Sequence, residues 1–390
     1  MNRLWDRGHP GRFWGRGHPA RTKDQMNATT TFNPWALTPT DGAAMWQGFL
    51  NRMTKLPQVA SIAQKVRVGA TPAEPVYRED KLRVLRYESD VQKQYRTPLV
   101  VVFALVNRPY ILDLRPGKSV VAHFVNRGFD VYNVDWGVPA DGDRYLGMED
   151  YIEKYMVHIM DAVRDYTGTE QVNILGYCMG GTMSAMFTAL HPDIVRNLIM
   201  LAAPVDWSTK DSLLSVWTDE KYFDVDRLIE VYGNAPAHYL QSSFLMLKPV
   251  SNLIEKYFSF YENMEDEKFL EDFFAMETWL NDNIPVAGEM FRQFVKNCFQ
   301  RNQLIKGELR VGHRLVNLRN ITCPILNLTA TNDHLVPCGQ SLPFNQAVGS
   351  TDRSAINFPA GHIGMAVGSR ANRELWPKAC DWLAQRSEPV

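Results

Sequence analysis

An α/β fold is predicted for this 390-residue chain by three features of its sequence. Strand-like apolar runs alternate with helical segments from about Lys81 onward. The run LVVVFAL (99–105) is continuous, as in a strand buried on both faces, and RNLIMLAA (196–203) is a further strand. The alternation stops between about Trp207 and Arg310 and then resumes. Together these features predict a mostly parallel sheet with helices on both faces and an inserted helical cap.

Taken in order, KLRVLRYE (81–88) alternates as a half-buried strand, and LVVVFAL follows as a central one. A helix is expected around Val120–Asn126, a strand at DVYNVDW (130–136) and an amphipathic helix from about Met148 to Tyr166. QVNILG (171–176) is the next strand. The helix after Cys178 ends near His191-Pro192, and RNLIMLAA is a strand. Past the insert come PILNLTA (324–330), a helix near Gly339–Ala347, AINFPA (355–360) and a last helix to about Arg386.

The middle stretch is rich in Phe, Tyr, Met and Leu at helical spacings, so residues 207–310 form the expected cap. The core is assigned to 79–206 and 311–390, and 26–78 to a loosely packed helical arm. Residues 1–25 hold a short repeat, RGHPGRFWG then RGHPA, with no apolar core like that of a signal peptide. They read as a disordered extension ahead of a natural start at Met26.

Composition narrows the function. Hydrophobic residues make up 45% and charged residues 22%, with a formal net charge of −1, which gives no basic footprint for nucleic acid. No apolar stretch approaches the roughly 20 residues needed to span a bilayer. The five cysteines are odd in number and lack C-x-x-C spacing, arguing against a disulfide framework or structural zinc and for a reducing cytoplasm. No cofactor or metal motif is present.

The chemistry centres on NILGYCMGGT (173–182). Gly176-x-Cys178-x-Gly180 between a strand and a helix has the layout of a nucleophile elbow, which points to the α/β-hydrolase fold. The glycines are needed because side chains there would meet the neighbouring strand and helix. The elbow sets the thiol at a helix N-terminus, which favours thiolate. The Met179 N–H faces a developing oxyanion, and a second donor is expected after LVVVFAL, at Val106 or Asn107.

In this fold the chain order is nucleophile, acid, histidine. Asp333 follows the strand PILNLTA, and His362, between Gly361 and Gly364, follows the last strand. His334 adjoins Asp333 and is badly placed to bond it and also reach the sulfur. Asp113 and Asp135 precede the nucleophile and read as structural hydrogen-bonders.

Several long blocks then resemble the polyhydroxyalkanoate (polyester) synthases of the short, two-subunit kind, over about Pro75 to Leu383. They are YREDKL (77–82), ALVNRPYILDL (104–114), GFDVYNVDWG (128–137), GYCMGG (176–181), ALHPDIVRNLIMLAAPVDW (189–207), GEMFRQF (288–294), ITCPILNLTATNDHLVP (321–337) and PAGHIGM (359–365). The repeat before Met26 departs from that pattern.

The resemblance implies Cys178 as nucleophile with Asp333 and His362 as its partners, and a cap covering the site. It implies (R)-3-hydroxyacyl-CoA as substrate, with CoA released, and a growing polyester chain held at a granule surface in the cytoplasm. It also implies a homodimer and a non-catalytic second subunit. DHLVP and GHIG lean toward the class III type with an E-type partner over the class IV type with an R-type partner. Two alternatives share the triad or the scaffold: a cysteine-nucleophile hydrolase (depolymerase, lactonase or thioesterase), and a non-catalytic granule-binding protein.

Overall fold

The computed structural model describes Gln47, Gly48 and residues 50–390. The expected extension (1–25) and most of the first half of the expected arm lie outside the described residues. The chain divides into two compact units, Met1–Thr54 and Lys55–Val390. In the first, Gln47 Nε2 donates to Asn51 Oδ1 at 3.2 Å within a helical turn.

The second unit is built on an eight-stranded sheet. Its strands are β1 (Ala73–Glu79), β2 (Leu82–Tyr87), β3 (Leu99–Val102), β4 (Val131–Asp135), β5 (Val172–Tyr177), β6 (Val195–Leu201), β7 (Ile325–Ala330) and β8 (Arg353–Phe358). Their order is β1-β2-β4-β3-β5-β6-β7-β8. Only β1–β2 and β2–β4 pair antiparallel; the other neighbours run parallel. Leu99–Val102 and Ile174–Leu175 are almost wholly excluded from water. Each such side chain contributes about 1.5–3 kcal/mol of burial, which is why these runs read as continuous rather than alternating.

Helices α2 (Val120–Asn126), α3 (Met156–Thr167), α4 (Met179–Leu190) and α6 (Trp376–Ala384) belong to the sheet crossovers and the chain's end, and α1 (Leu56–Lys65) precedes the sheet. Every residue of α4 is buried. Ser119 caps α2 by accepting from the Ala122 N–H at 2.8 Å.

Three expectations need correction. The helical reading of 26–78 fails at its end, because Ala73–Glu79 is a strand paired with β2. It is an edge strand, mostly exposed, so it lacks an apolar signature and tolerates Pro75. The helix expected from Met148 begins as a π-helical stretch, Asp150–Tyr155, before α3. The helix near Gly339–Ala347 is two short pieces, Cys338–Ser341 and Phe344–Ala347, because Pro343 breaks it.

Residues 207–310 are about two-thirds helical, in short helices joined by turns. The longest helix is α5 (Glu267–Asn281), capped by the Asp266 carboxylate on the Phe269 N–H at 3.0 Å. Two points tie this insert to loops at the carboxyl ends of the strands. Ser212 Oγ donates toward the carbonyls of His334 and Leu335, both at 3.3 Å. Trp279 Nε1 donates to the Arg108 carbonyl at 2.8 Å.

Candidate active site

Cys178 sits between β5 and α4 with φ 54° and ψ −127°, a backbone conformation that costs a non-glycine residue about 1–3 kcal/mol. The turn holds because its surroundings over-determine it. The Cys178 N–H donates to the Leu201 carbonyl at 2.9 Å, and the Cys178 carbonyl accepts from Gly181 at 2.9 Å and Thr182 at 3.2 Å. A Cβ on Gly180 would lie 2.3 Å from the Val102 carbonyl oxygen, and one on Gly176 would lie 2.5 Å from the Gly181 Cα. The glycines let α4 press directly onto β5 and the end of β3, and Cys178 is partly exposed.

Asp333 follows β7 with its side chain buried. One carboxylate oxygen, Oδ1, accepts from the N–H groups of Leu335 at 2.9 Å and Val336 at 2.8 Å. The other, Oδ2, lies 2.7 Å from His362 Nδ1. That bond places a proton on Nδ1 and turns Nε2 toward the thiol, which lies close enough to help raise the His362 pKa. Burial lowers the His362 pKa, but the charges of Asp333 and Cys178 and the hydrogen bond to Asp333 outweigh it and raise the pKa to about 10. The structure thus brings Cys178, His362 and Asp333 together, with His362 bonded to Asp333.

His334 is exposed and points its carbonyl at Ser212 instead. Asp113 accepts from Thr71 N, Thr71 Oγ1 and Ser119 Oγ at 2.6–2.9 Å. Asp135 pairs with Arg83 and accepts from the Gly137 N–H at 3.1 Å.

Met179 opens α4, where the first N–H groups have no intrahelical acceptor. Val106 lies in the turn after β3. Neither N–H has a hydrogen-bond acceptor among the described residues. Asn107, the other sequence candidate, is buried and turns its side-chain oxygen onto the Arg108 N–H at 2.7 Å.

Sequence reasoning passed over Tyr177, although it lies inside the elbow motif. Its ring stacks on the His362 ring at 5.0 Å between centroids. It also passed over Trp279 and Asp282, which reach the loop after β3 from about 170 residues downstream. No local signal marks such a contact. On the cap side, Lys248 is close enough to feel the Asp333 charge.

Comparison with known proteins gives the family. A family profile described as the alpha/beta hydrolase fold matches residues 112–368, and one described as the poly-beta-hydroxybutyrate polymerase (PhaC) N-terminus matches residues 41–124. The chain is 45% identical over 329 residues to a poly(3-hydroxyalkanoate) polymerase subunit PhaC of Haloferax mediterranei, covering 84% of this chain and 67% of that one. The chain belongs to the PhaC polymerase family.

Other PhaC subunits agree. That of Haloarcula marismortui is 40% identical, covering 92% of this chain and 78% of its own. That of Allochromatium vinosum is also 40% identical, covering 83% and 91%. A monoacylglycerol lipase from Paleococcus ferrophilus superposes with a TM-score of 0.51 at 14% identity, over 79% of this chain and all of its own, a likeness of fold alone. Among the described residues of this PhaC family member, no helix is long and apolar enough to cross a membrane.

Proposed function

We propose that this chain polymerises (R)-3-hydroxyacyl-CoA into polyhydroxyalkanoate, with Cys178 carrying the acyl group as a thioester. The observation that carries this reading is the 2.7 Å bond between Asp333 and His362 with Cys178 beside them at the elbow of a PhaC-family chain.

His362 takes the Cys178 proton, a transfer that its raised pKa favours, and the pair reacts as thiolate and imidazolium. The thiolate attacks the substrate thioester carbonyl, and the oxyanion is received by the N–H groups of Met179 and Val106. Collapse breaks the bond to CoA, whose sulfur takes the His362 proton and leaves as a thiol. Acylation removes the thiolate charge, and His362 is now neutral. The 3-hydroxyl of a second monomer or of the chain end gives its proton to Nε2 as its oxygen attacks the acyl-cysteine. A new ester forms, the Cys178 thiolate departs, and the ion pair is restored.

A thiol suits this task better than a serine hydroxyl. Exchanging one thioester for another keeps nearly all the acyl activation for the ester-forming step. Water would hydrolyse the chain, so the aromatic-rich insert serves as a cap that excludes it.

The further reading is an E-type partner subunit, a homodimer and a granule-bound product. It is supported by an exposed apolar row at helical spacing in the insert, Val250, Leu253, Ile254, Tyr257 and Phe258. The deciding experiment is CoA release from (R)-3-hydroxybutyryl-CoA, followed by thiol titration with and without an E-type subunit, with the products sized. Insoluble polyester from wild type, and none from Cys178→Ala, supports the proposal. Release of free 3-hydroxybutyrate alone makes the chain a thioesterase, and CoA release surviving in Cys178→Ala removes the thiol from the mechanism.

A further inference from the structure

We propose that Trp279 and Asp282 of the insert are positioning residues for the Val106 amide, so that the oxyanion site is complete only when the insert is seated on the loop after β3. The inference rests on the reading above that Val106 N–H is an oxyanion donor.

The loop 103–110 is held at its two ends by different parts of the fold. At the near end the sheet domain fixes it: the Phe103 carbonyl accepts from Trp136 Nε1 at 3.0 Å. Gly180 packs so closely there that a Cβ would lie 2.5 Å from the Phe103 carbonyl oxygen. At the far end Pro109–Leu112 turns into the core of the sheet domain, and the hydrogen bonds that reach Arg108 and Tyr110 from outside the loop come from the insert. The Arg108 carbonyl accepts from Trp279 Nε1 at 2.8 Å. Arg108 Nε donates to Asp282 Oδ1 at 3.2 Å, and Tyr110 Oη donates to Asp282 Oδ2 at 3.1 Å. Burial and the Asp282 charge push the Tyr110 pKa up, so the phenol stays a neutral donor.

Between these anchors Leu105–Asn107 form a turn, in which the Val106 N–H has no acceptor among the described residues. Trp279 is only 5% exposed, so its bond is kept from water and losing it strands the Arg108 carbonyl. Asp282 lies immediately beyond the C-terminus of α5, so it moves with that helix. A shift of the insert therefore carries Arg108 with it and turns the Val106 amide two residues away. Oxyanion donors act only when aimed at the place where charge develops, and a displacement near 1 Å is enough to waste one. Seating of the cap over substrate and completion of the oxyanion site are thereby one event.

The test compares wild type with Trp279→Phe/Asp282→Ala, with each single variant, and with Asp282→Asn, which keeps an acceptor for Arg108 and Tyr110. Three quantities are read: kcat and KM for CoA release, the rate of Cys178 alkylation by iodoacetamide, and Tm. Alkylation needs the thiolate but builds no oxyanion.

The double variant is expected to lose about 10- to 100-fold in kcat, the scale of one weakened oxyanion donor, with KM and alkylation each within about two-fold. Asp282→Asn is expected to recover most of the Asp282→Ala loss. An unchanged kcat in the folded double variant, or alkylation falling in step with kcat, overturns the proposal. If the double variant does not fold, the same two criteria apply to Asp282→Ala, whose carboxylate is 43% exposed and dispensable to the core. Wild type that alkylates at Cys178 yet releases no CoA from any hydroxyacyl-CoA would instead overturn the polymerase reading.

Discussion

Tyr177 lies against His362 with ring centroids 5.0 Å apart and planes 23° from parallel, and its hydroxyl donates to the His362 carbonyl at 3.0 Å. The residue before the nucleophile thus holds both the ring and the backbone of the histidine that faces that nucleophile. Its pKa is pushed well up by burial, so the hydroxyl remains a donor.

Tyr177→Phe keeps the stack and removes the bond, leaving the histidine carbonyl unpaired. The expected cost is about 1–2 kcal/mol of stability, with a several-fold fall in kcat as His362 loosens. Urea unfolding and CoA-release kinetics measure the two. A variant with wild-type stability and kcat would show that the ring contact alone holds the histidine.

The His362 pKa also predicts a stability profile. It rises from 6.5 to about 10 in the folded chain: burial opposes the shift, but the Asp333 charge and then the Cys178 charge outweigh it. A histidine whose pKa is raised by folding contributes stability that is fully present below about pH 6.5. That contribution is lost as pH climbs toward about 10. Asp333→Asn removes the leading favourable cause, so its stability should fall less over that window than wild type's does. Denaturation midpoints at half-unit pH steps test this, and parallel curves for the two proteins would refute it.

How much of this was legible in the sequence follows the range of the forces involved. The elbow could be read because close backbone packing demands Gly176 and Gly180 at fixed places. The central strands could be read because burial on both faces leaves an unbroken apolar run. Strand β1 could not: at the exposed edge, AEPVYRE gives no period. The placement of Asp333 and His362 was legible through the chain order that the fold imposes, whereas their 2.7 Å contact required coordinates. Trp279 and Asp282 were illegible because nothing near them in sequence records a partner across the molecule.

Gly180→Ala is expected to damage both fold and chemistry. Its Cβ would meet backbone oxygens of Val102 and Phe103 at 2.3 and 2.5 Å, and backbone at the end of a central strand cannot give way. Moving α4 aside costs about 1–3 kcal/mol or more and displaces the Met179 amide. Gly168→Ala is the contrast. It has φ 65° at the end of α3 with nothing within 4 Å of the added Cβ, so only the conformational cost of about 1 kcal/mol applies. Tm and kcat for the pair should therefore separate: Gly168→Ala loses a little stability and no kcat, and Gly180→Ala loses both. Equal effects would mean that the elbow contact is softer than its distances indicate.

The strain at Cys178 gives the last prediction. Replacing the cysteine by Ala or by Gly removes the thiol in both cases, so the difference between the two variants reports the backbone alone. Glycine ordinarily costs stability relative to alanine, by about 0.5–1 kcal/mol, because it loses more freedom on folding. At φ 54° and ψ −127° that order should reverse, since alanine bears a strain of about 1–3 kcal/mol that glycine escapes. Cys178→Gly is therefore expected to unfold at higher denaturant than Cys178→Ala, by about 1 kcal/mol, with neither variant releasing CoA. The usual order, alanine above glycine, would mean that the elbow relaxes once the sulfur is gone and that the thiol beside His362 holds the strained turn. The same comparison thus distinguishes a turn strained by its scaffold from one strained by its own nucleophile.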